Sequence, residues 1–499
     1  MTIPIISANI SRMSITIIQY DHLSREKIAI KTLKTSNVFV NASIVYILAN
    51  GIGQGTTLLA NIFFTRYMSQ RDYGLFSNYY SYVSLLVPFV GMNLYCGLAN
   101  AYIDYKNVIH KLRSSLLLLS LSGLAVTTLA MILLKLTVGL SLSMICIFLA
   151  LAHAYGFFLV NYYIHSMNME NRFVAKGVML SVPYVIQALF AIIALVICNS
   201  YISRAIGGTV GVLVCGLTAA LLIMRGSCPQ INKEYWSYAL RISLPAIIGS
   251  VSAMIMQQCD KVMITSISGA EINAIYSLIY YIGYILYAVQ QATNGGLQVW
   301  LYNTLDKKKV EGIPNVQKWY LFAMLVLTTG IYMIAPEIVK ILSPKEYWHF
   351  EYVVPFIIGS FLMAMYSMLI LVVQYKKKNG VVSLIVSLSA VINILLNFLL
   401  IPKFGGVGAA YTSVVSYLFI FIICLVYLKI KQEYFFSDSY FYVSLLIVVL
   451  LGAAFYFVKD LILLRYVIFL AALFFEAVYF YHKFEEVKSL FGGSIFARR

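Results

Sequence analysis

Residues Tyr235 to Asn303 read YWSYALRISLPAIIGSVSAMIMQQCDKVMITSISGAEINAIYSLIYYIGYILYAVQQATNGGLQVWLYN, and this stretch decides the fold. It holds two apolar segments, each long enough to cross a bilayer core of about 30 Å. A turn-like stretch, SISGAEIN, separates them. Two features do not suit plain lipid-facing helices. A polar line runs down the first segment through Ser250, Gln257 and Lys261, which fall in one narrow angular sector at helical spacing. A tyrosine-rich face runs down the second through Tyr280, Tyr284 and Tyr287, continuing to Gln291 and Asn294. The pattern repeats about 200 residues earlier, where Asn50, Gln54, Thr57 and Asn61 form the polar line and Ser77 aligns with Ser277. The repeat predicts two six-helix lobes facing one polar interior.

Composition agrees. Of 499 residues, 61% are hydrophobic and 11% charged, where a soluble chain carries about a quarter charged residues. Apolar runs predict fourteen spans near 38–64, 75–101, 114–134, 138–164, 173–197, 202–224, 238–264, 275–301, 319–341, 352–373, 381–401, 406–428, 439–457 and 461–481. The fold class is all-α, a polytopic membrane protein. Its expected units are a segment 1–37, an N-lobe 38–224, a linker 225–237, a C-lobe 238–428, and a final part 429–499 holding two extra helices.

The net charge of +17 suggests nucleic acid in a soluble protein, but its placement argues otherwise. Of 36 lysines and arginines, 24 fall in the two tails and the even-numbered gaps, and six in the odd-numbered gaps. By the positive-inside rule both termini are cytoplasmic. The excess is a topology signal, with a lesser attraction to anionic headgroups. No nucleic acid is expected. The seven cysteines form no C-x-x-C pair, and free thiols in apolar surroundings are expected. Residues 1–37 hold five basic residues and no long apolar core, unlike a secretory signal.

Within the spans, His153 is expected to bond to a neighbouring helix, with a proton-relay role as the alternative. Lys176, Arg204 and Arg241 lie near span ends, so snorkelling to headgroups and cavity lining are both open. Arg66 and Arg71, beyond the first span, read as interfacial snorkelling or as a basic rim for an anionic substrate. Arg465 and Glu476 share a face of the last span, and snorkelling is the expected reading. Asn393 and Asn397 lie one turn apart; Pro402 is expected to end that helix and Gly405, Gly406 and Gly408 to make the turn.

Four stretches carry a family resemblance. They are TRYMSQRDYGLFS after the first span, LPAIIGSVSAMIMQQCDKVMI with Pro245 and the Asp260–Lys261 pair, NAIYSLIYYI, and LLNFLLIPKFGGVGAAYTS. Over about residues 38–430 the chain resembles bacterial polysaccharide flippases of the O-antigen and capsule translocase type. These belong to the multidrug/oligosaccharidyl-lipid/polysaccharide exporter superfamily. The resemblance implies two lobes related by an axis along the membrane normal, with a cavity opening alternately to each side. It implies an undecaprenyl-pyrophosphate-linked oligosaccharide as cargo in the cytoplasmic membrane. A downstream polymerase and chain-length regulator are implied as partners, and the last two helices as borders of a path for the lipid tail.

The chemistry of such a cargo fits the polar lines. An anionic, hydrated head needs a polar groove, cations for phosphate and flat apolar faces for sugar rings. The candidate binding residues are Asn50, Gln54, Asn61, Arg66, Lys176, Gln257, Asp260, Lys261, Tyr280, Tyr284, Tyr287 and Gln291, with Asp260 tuning or pairing with Lys261. No catalytic set, metal cluster or cofactor motif is expected. Three rivals stay open: a lipid II flippase, a multidrug or toxin antiporter, and a membrane-embedded polymerase or ligase. An antiporter favours a carboxylate in the first lobe, whose polar line is amide and hydroxyl. An enzyme needs a substantial external loop, whereas the external gaps here are short.

Overall fold

The computed structural model describes residues 45, 48–139, 142–169 and 172–483. The segment 1–37 and the end of the chain, both read above as cytoplasmic, lie outside the described residues. Among the described residues every regular element is helical. In order these are α1 (48–67), α2 (Gln70–Val90), α3 (Leu98–Asp104), α4 (Ile109–Val138), α5 (Met144–Met169), α6 (Phe173–Ile197), α7 (Tyr201–Met224), α8 (Lys233–Ile267), α9 (Ala270–Asp306), α10 (Ile313–Leu342), α11 (Val353–Tyr375), α12 (Asn379–Ile430), α13 (Asp438–Val458) and α14 (Ile462–His482).

Eleven of these are long and apolar enough to cross a membrane, and α2 with α3, bent by 47°, make a twelfth span. Helix α12 has 52 residues, about 78 Å at 1.5 Å per residue, more than twice the hydrocarbon thickness. It is two spans broken at Gly405, whose φ of 58° and ψ of −142° no helix contains. The helix therefore continues through Pro402, expected to end it, and turns at the first residue free of a Cβ penalty. With α12 counted as two, thirteen candidate spans stand among the described residues, and α1 is a further long helix of this polytopic all-α membrane protein.

Local sequence sets the helix starts. The Ser69 hydroxyl accepts from the Asp72 amide and Asp72 lies in the first turn, so α2 is capped where α1 ends. Asn232 accepts from the amides of Glu234 and Tyr235 at 2.9 and 3.1 Å, opening α8. The turn between α8 and α9 is shorter than SISGAEIN suggests, only Ser268 and Gly269.

In the first lobe α5 and α6 pack on α7 and α2 packs on α5; in the second α8 and α11 pack on α12 and α9 packs on α11. The lobes meet where α2 lies against α8 and α9. At that seam the Ser77 and Ser277 hydroxyls lie 2.5 Å apart. A residue touching its own counterpart is what a pseudo-twofold axis produces. The face at the α1–α2 turn is sealed. Thr65 donates to the Leu342 carbonyl at 2.6 Å, Arg66 to the Ile341 carbonyl at 2.8 Å, and the Asn273 side chain to the Gly74 carbonyl at 2.9 Å. Toward the other face, Asn93 donates to Ser250 at 3.0 Å and Tyr238 to Asp104 at 2.6 Å.

Helices α13 and α14 dock on α10, with α13 also touching α11. Here the snorkelling reading fails. Arg465 is fully buried, pairs with Glu337, and donates to the Met333 and Lys459 carbonyls at 3.0 and 2.6 Å. Glu476 is buried on Thr329 at 2.7 Å. Both side chains turn onto α10 because the Met333 carbonyl, the Glu337 carboxylate and the Thr329 hydroxyl wait there, which hydrocarbon does not offer. Losing one partner of a buried ion pair costs about 3–5 kcal/mol in soluble proteins. Interhelical polar contacts in membranes are worth less, up to about 2 kcal/mol. Arg465→Leu is therefore expected to destabilise the α14 docking by about 1–2 kcal/mol, read as a lower unfolding midpoint in detergent. An unchanged midpoint would assign Arg465 no clasp role.

Candidate functional site

Between the lobes, α1, α2, α6, α7, α8 and α9 enclose a cavity of about 320 Å³. The repeated polar lines face it: Gln54, Thr57 and Asn61 from α1, Gln257 and Lys261 from α8. Tyr280 and Tyr284 line it from α9, and the Ser77–Ser277 contact forms part of its wall. The tyrosines stand in a ladder, with ring centroids 6.3 Å apart for Tyr280 and Tyr284 and 5.2 Å for Tyr284 and Tyr287. Gln54 reaches across the lobes to the Tyr284 hydroxyl at 3.4 Å.

The charge of the cavity is set by one cation from each lobe. Lys261 donates to the Gln258 side chain at 3.3 Å, and its ammonium lies 4.8 Å from the Tyr280 ring centre. Arg204, on α7, is held between the Phe64 and Phe76 rings at 3.6 and 3.7 Å, with Tyr73 at 5.3 Å. Two aromatic faces fix the guanidinium plane and leave its N–H groups at the edges. Arg204 is 6% exposed, its Nε has no partner, and its Nη1 meets only the Met68 sulfur at 3.6 Å. Among the described residues the lining contains no carboxylate. The Asn61 amide nitrogen is also buried and unpartnered, while its oxygen accepts from Tyr73 at 3.2 Å. The cavity thus carries unused donors and two positive charges.

Other expected residues lie elsewhere. Asn50 is exposed on α1, outside the cavity lining. Arg66 closes the end of α10 through the Ile341 carbonyl. Lys176 is half-buried on α6, away from the cavity. Gln291 donates to the Tyr287 hydroxyl at 2.7 Å, and Tyr287 lines a small neighbouring pocket. Asp260 does not pair with Lys261. It turns away into the second lobe, where Tyr276, Asn397 and Ser413 each donate to it at 2.6 Å. Adjacent helical residues point about 100° apart, so a carboxylate and an ammonium in sequence need not meet.

His153 is bonded to neighbouring helices. Its Nδ1 lies 3.1 Å from the Tyr79 and Thr209 hydroxyls, and its Nε2 lies 3.1 Å from the Gln187 amide. Gln187 and Gly208 line the cavity, so this network braces its wall. The sequence reading missed the inward role of Arg204, whose place near a span end suited snorkelling equally well. The available signal was Phe64 and Phe76 on the first two helices, but nothing in their spacing shows that they converge on α7.

The comparisons with known proteins now bear on this geometry. A family model for polysaccharide biosynthesis proteins matches residues 39–300, over half the chain. The chain belongs to that family. Probable multidrug resistance proteins NorM from Bacillus cereus and Bacillus anthracis are 29% identical over 143 residues, 26% of this family member. It spans about a third (32%) of the length of those relatives. Among solved structures, the lipid II flippase MurJ in an inward closed conformation aligns with TM-score 0.67 at 15% identity, covering 89% of this chain and 99% of that one. A variant of the Vibrio cholerae MATE transporter VcmN aligns at 0.57 and 14% identity, covering 82% and 99%. At such identities these likenesses concern the fold alone.

Proposed function

We propose that this protein is a flippase that moves an undecaprenyl-pyrophosphate-linked oligosaccharide across the cytoplasmic membrane, for O-antigen, capsule or exopolysaccharide assembly. The observation that carries the reading is a cavity lined by two cations, the buried Arg204 among them, and by no carboxylate among its described lining residues. A buried guanidinium without a counter-charge is unfavourable, and a visiting pyrophosphate supplies that charge in bidentate geometry. Amides and tyrosine faces beside it suit sugar hydroxyls and rings. The candidate binding residues are Gln54, Asn61, Gln257, Lys261, Tyr280 and Tyr284, joined by Arg204. A small organic cation, as an antiporter cargo, meets repulsion here.

In this reading the lobes are 38–224 and 238–428, joined by 225–237, and both termini are cytoplasmic. The α1–α2 face is then the outer one, closed in this structure, and the cavity opens to each side in turn. No chemistry is performed on the cargo. Moving negative charge outward is favoured by an inside-negative potential by about 2.3 kcal/mol per charge per 100 mV.

The test is leaflet transfer of a defined undecaprenyl-pyrophosphate oligosaccharide in proteoliposomes, with and without an imposed potential. Wild type is expected to transfer it faster with the interior of the donor side negative. Tyr284→Ala is expected to slow transfer about tenfold, the value of roughly one stacking platform, and Lys261→Ala by a similar factor. Failure of the wild type to move any lipid-linked sugar, alongside ion-coupled efflux of a small cation, would replace this reading with the antiporter.

A further inference from the structure

A second, larger space lies apart from the cavity. A groove of about 1100 Å³ runs between α9, α10 and α14 and shares no lining residue with the central site. Its walls include Trp300, Trp319, Tyr320, Phe322 and Phe480. Glu476 is the one carboxylate among the described residues that line it, and Lys309 stands at the rim before α10 begins.

Glu476 is poorly satisfied. Its Oε1 lies 2.7 Å from the Thr329 hydroxyl, whose single proton also has the Leu325 carbonyl at 3.0 Å. Its Oε2 is buried without a partner, and the residue is 9% exposed. An ionisable group inside a span with unused acceptor capacity is unfavourable unless something completes it. Helix packing alone does not need it, because Arg465 already ties α14 to α10. The aromatic wall also has cation-accepting faces. The Lys318 ammonium, which is not among the lining residues, lies 5.1 Å from the ring centre of Trp319, which is.

We infer that this groove is a binding site for a lipophilic organic cation bearing N–H groups. The flat apolar body lies along the aromatic walls, where desolvated cation–π contacts are favourable. An N–H donates to Glu476 Oε2, and the ion pair so formed is neutral. The central cavity, with Arg204 and Lys261, repels the same molecule, so the two sites divide ligands by charge. This assignment is independent of the lipid-linked cargo.

Ethidium, a planar aromatic cation with amino groups, is the probe. Its fluorescence is titrated against the full chain in nanodiscs, with empty nanodiscs subtracted. Glu476→Gln keeps size and removes charge; it is expected to weaken binding at least about fivefold, and a smaller change overturns the proposal. Ethidium binding that tightens when Lys261→Ala removes a positive charge from the central cavity places the probe there and overturns it too. A second readout does not depend on Glu476→Gln folding. Bound ethidium is expected to quench tryptophan emission of the wild type, and Trp300→Phe with Trp319→Phe is expected to abolish that quenching. Persistent quenching, or displacement by a neutral polyprenol equally in wild type and Glu476→Gln, marks the groove as a plain apolar path and rejects the cation site.

Discussion

Arg204→Leu is expected to cut leaflet transfer of a pyrophosphate-linked oligosaccharide about 100-fold while leaving the unfolding midpoint unchanged or higher. The two halves of this result have separate causes. A charge-assisted contact made in a desolvated site is worth about 2–5 kcal/mol when one partner is truncated, and 2.7 kcal/mol corresponds to about 100-fold. Stability runs the other way. Arg204 gains two ring faces, at 3.6 and 3.7 Å, each worth about 0.5–2 kcal/mol. Against this stands the desolvation of a guanidinium with an unpartnered Nε, which costs several kcal/mol. Leucine fits between Phe64 and Phe76 without that cost. A residue kept at a site where an apolar one is more stable is kept for binding. Arg204→Lys is expected to fall between wild type and leucine, because an ammonium keeps the charge but loses the planar stack and the bidentate fork. Transfer by Arg204→Leu within about twofold of wild type would remove this guanidinium from the phosphate site. A large fall in midpoint would make it structural instead.

The same residue shows where the sequence stopped being informative. Periodicity placed Gln54, Asn61, Gln257 and Lys261 on inward faces, because a polar line on an apolar helix has few other places to go. The alignment of Ser77 with Ser277 marked the repeat but not their contact, which the structure places where the two lobes meet. Spacing could not say how deep a cation sits. Arg204 and Arg465 lie close to span ends, where a long side chain reaches headgroups or turns inward with equal ease. The choice is made by neighbours from other helices: Phe64 and Phe76 for Arg204, Glu337 and the Met333 carbonyl for Arg465. Asp260 shows a related limit. Its adjacency to Lys261 suggested a pair, but Tyr276, Asn397 and Ser413 compete for its oxygens from three directions. Tertiary partners of this kind leave no local period.

Gly74→Val is expected to abolish transport and to open the α1–α2 face. A Cβ built on Gly74 falls 1.8 Å from the Ala270 carbonyl oxygen, inside any permitted contact, and the obstacle is backbone. The Gly74 carbonyl also accepts from Asn273 at 2.9 Å, which fixes α2 against α9 in that register. The seal therefore closes only when nothing larger than hydrogen stands at this position. The surrounding clasps, Thr65 to Leu342 and Arg66 to Ile341, depend on the same approach. A side chain here shifts the equilibrium toward the state in which α2 and α9 are apart, and a carrier held in one state does not cycle. The measurement is the labelling rate of Ser277→Cys by a membrane-impermeant maleimide added from the α1–α2 side, with exposed Cys96, Cys198 and Cys228 replaced by serine. In an otherwise native seal Ser277 lies against Ser77 and is buried, so labelling is slow; with Gly74→Val it is expected to rise at least about tenfold, a population shift of about 1.4 kcal/mol. Gly55→Ala is the matched control, because a Cβ on Gly55 meets nothing within 4 Å; both labelling and transport are expected to stay at wild-type levels. If Gly74→Val transports normally with Ser277→Cys still protected, the seal is not the moving part, and the lobes open along some other contact.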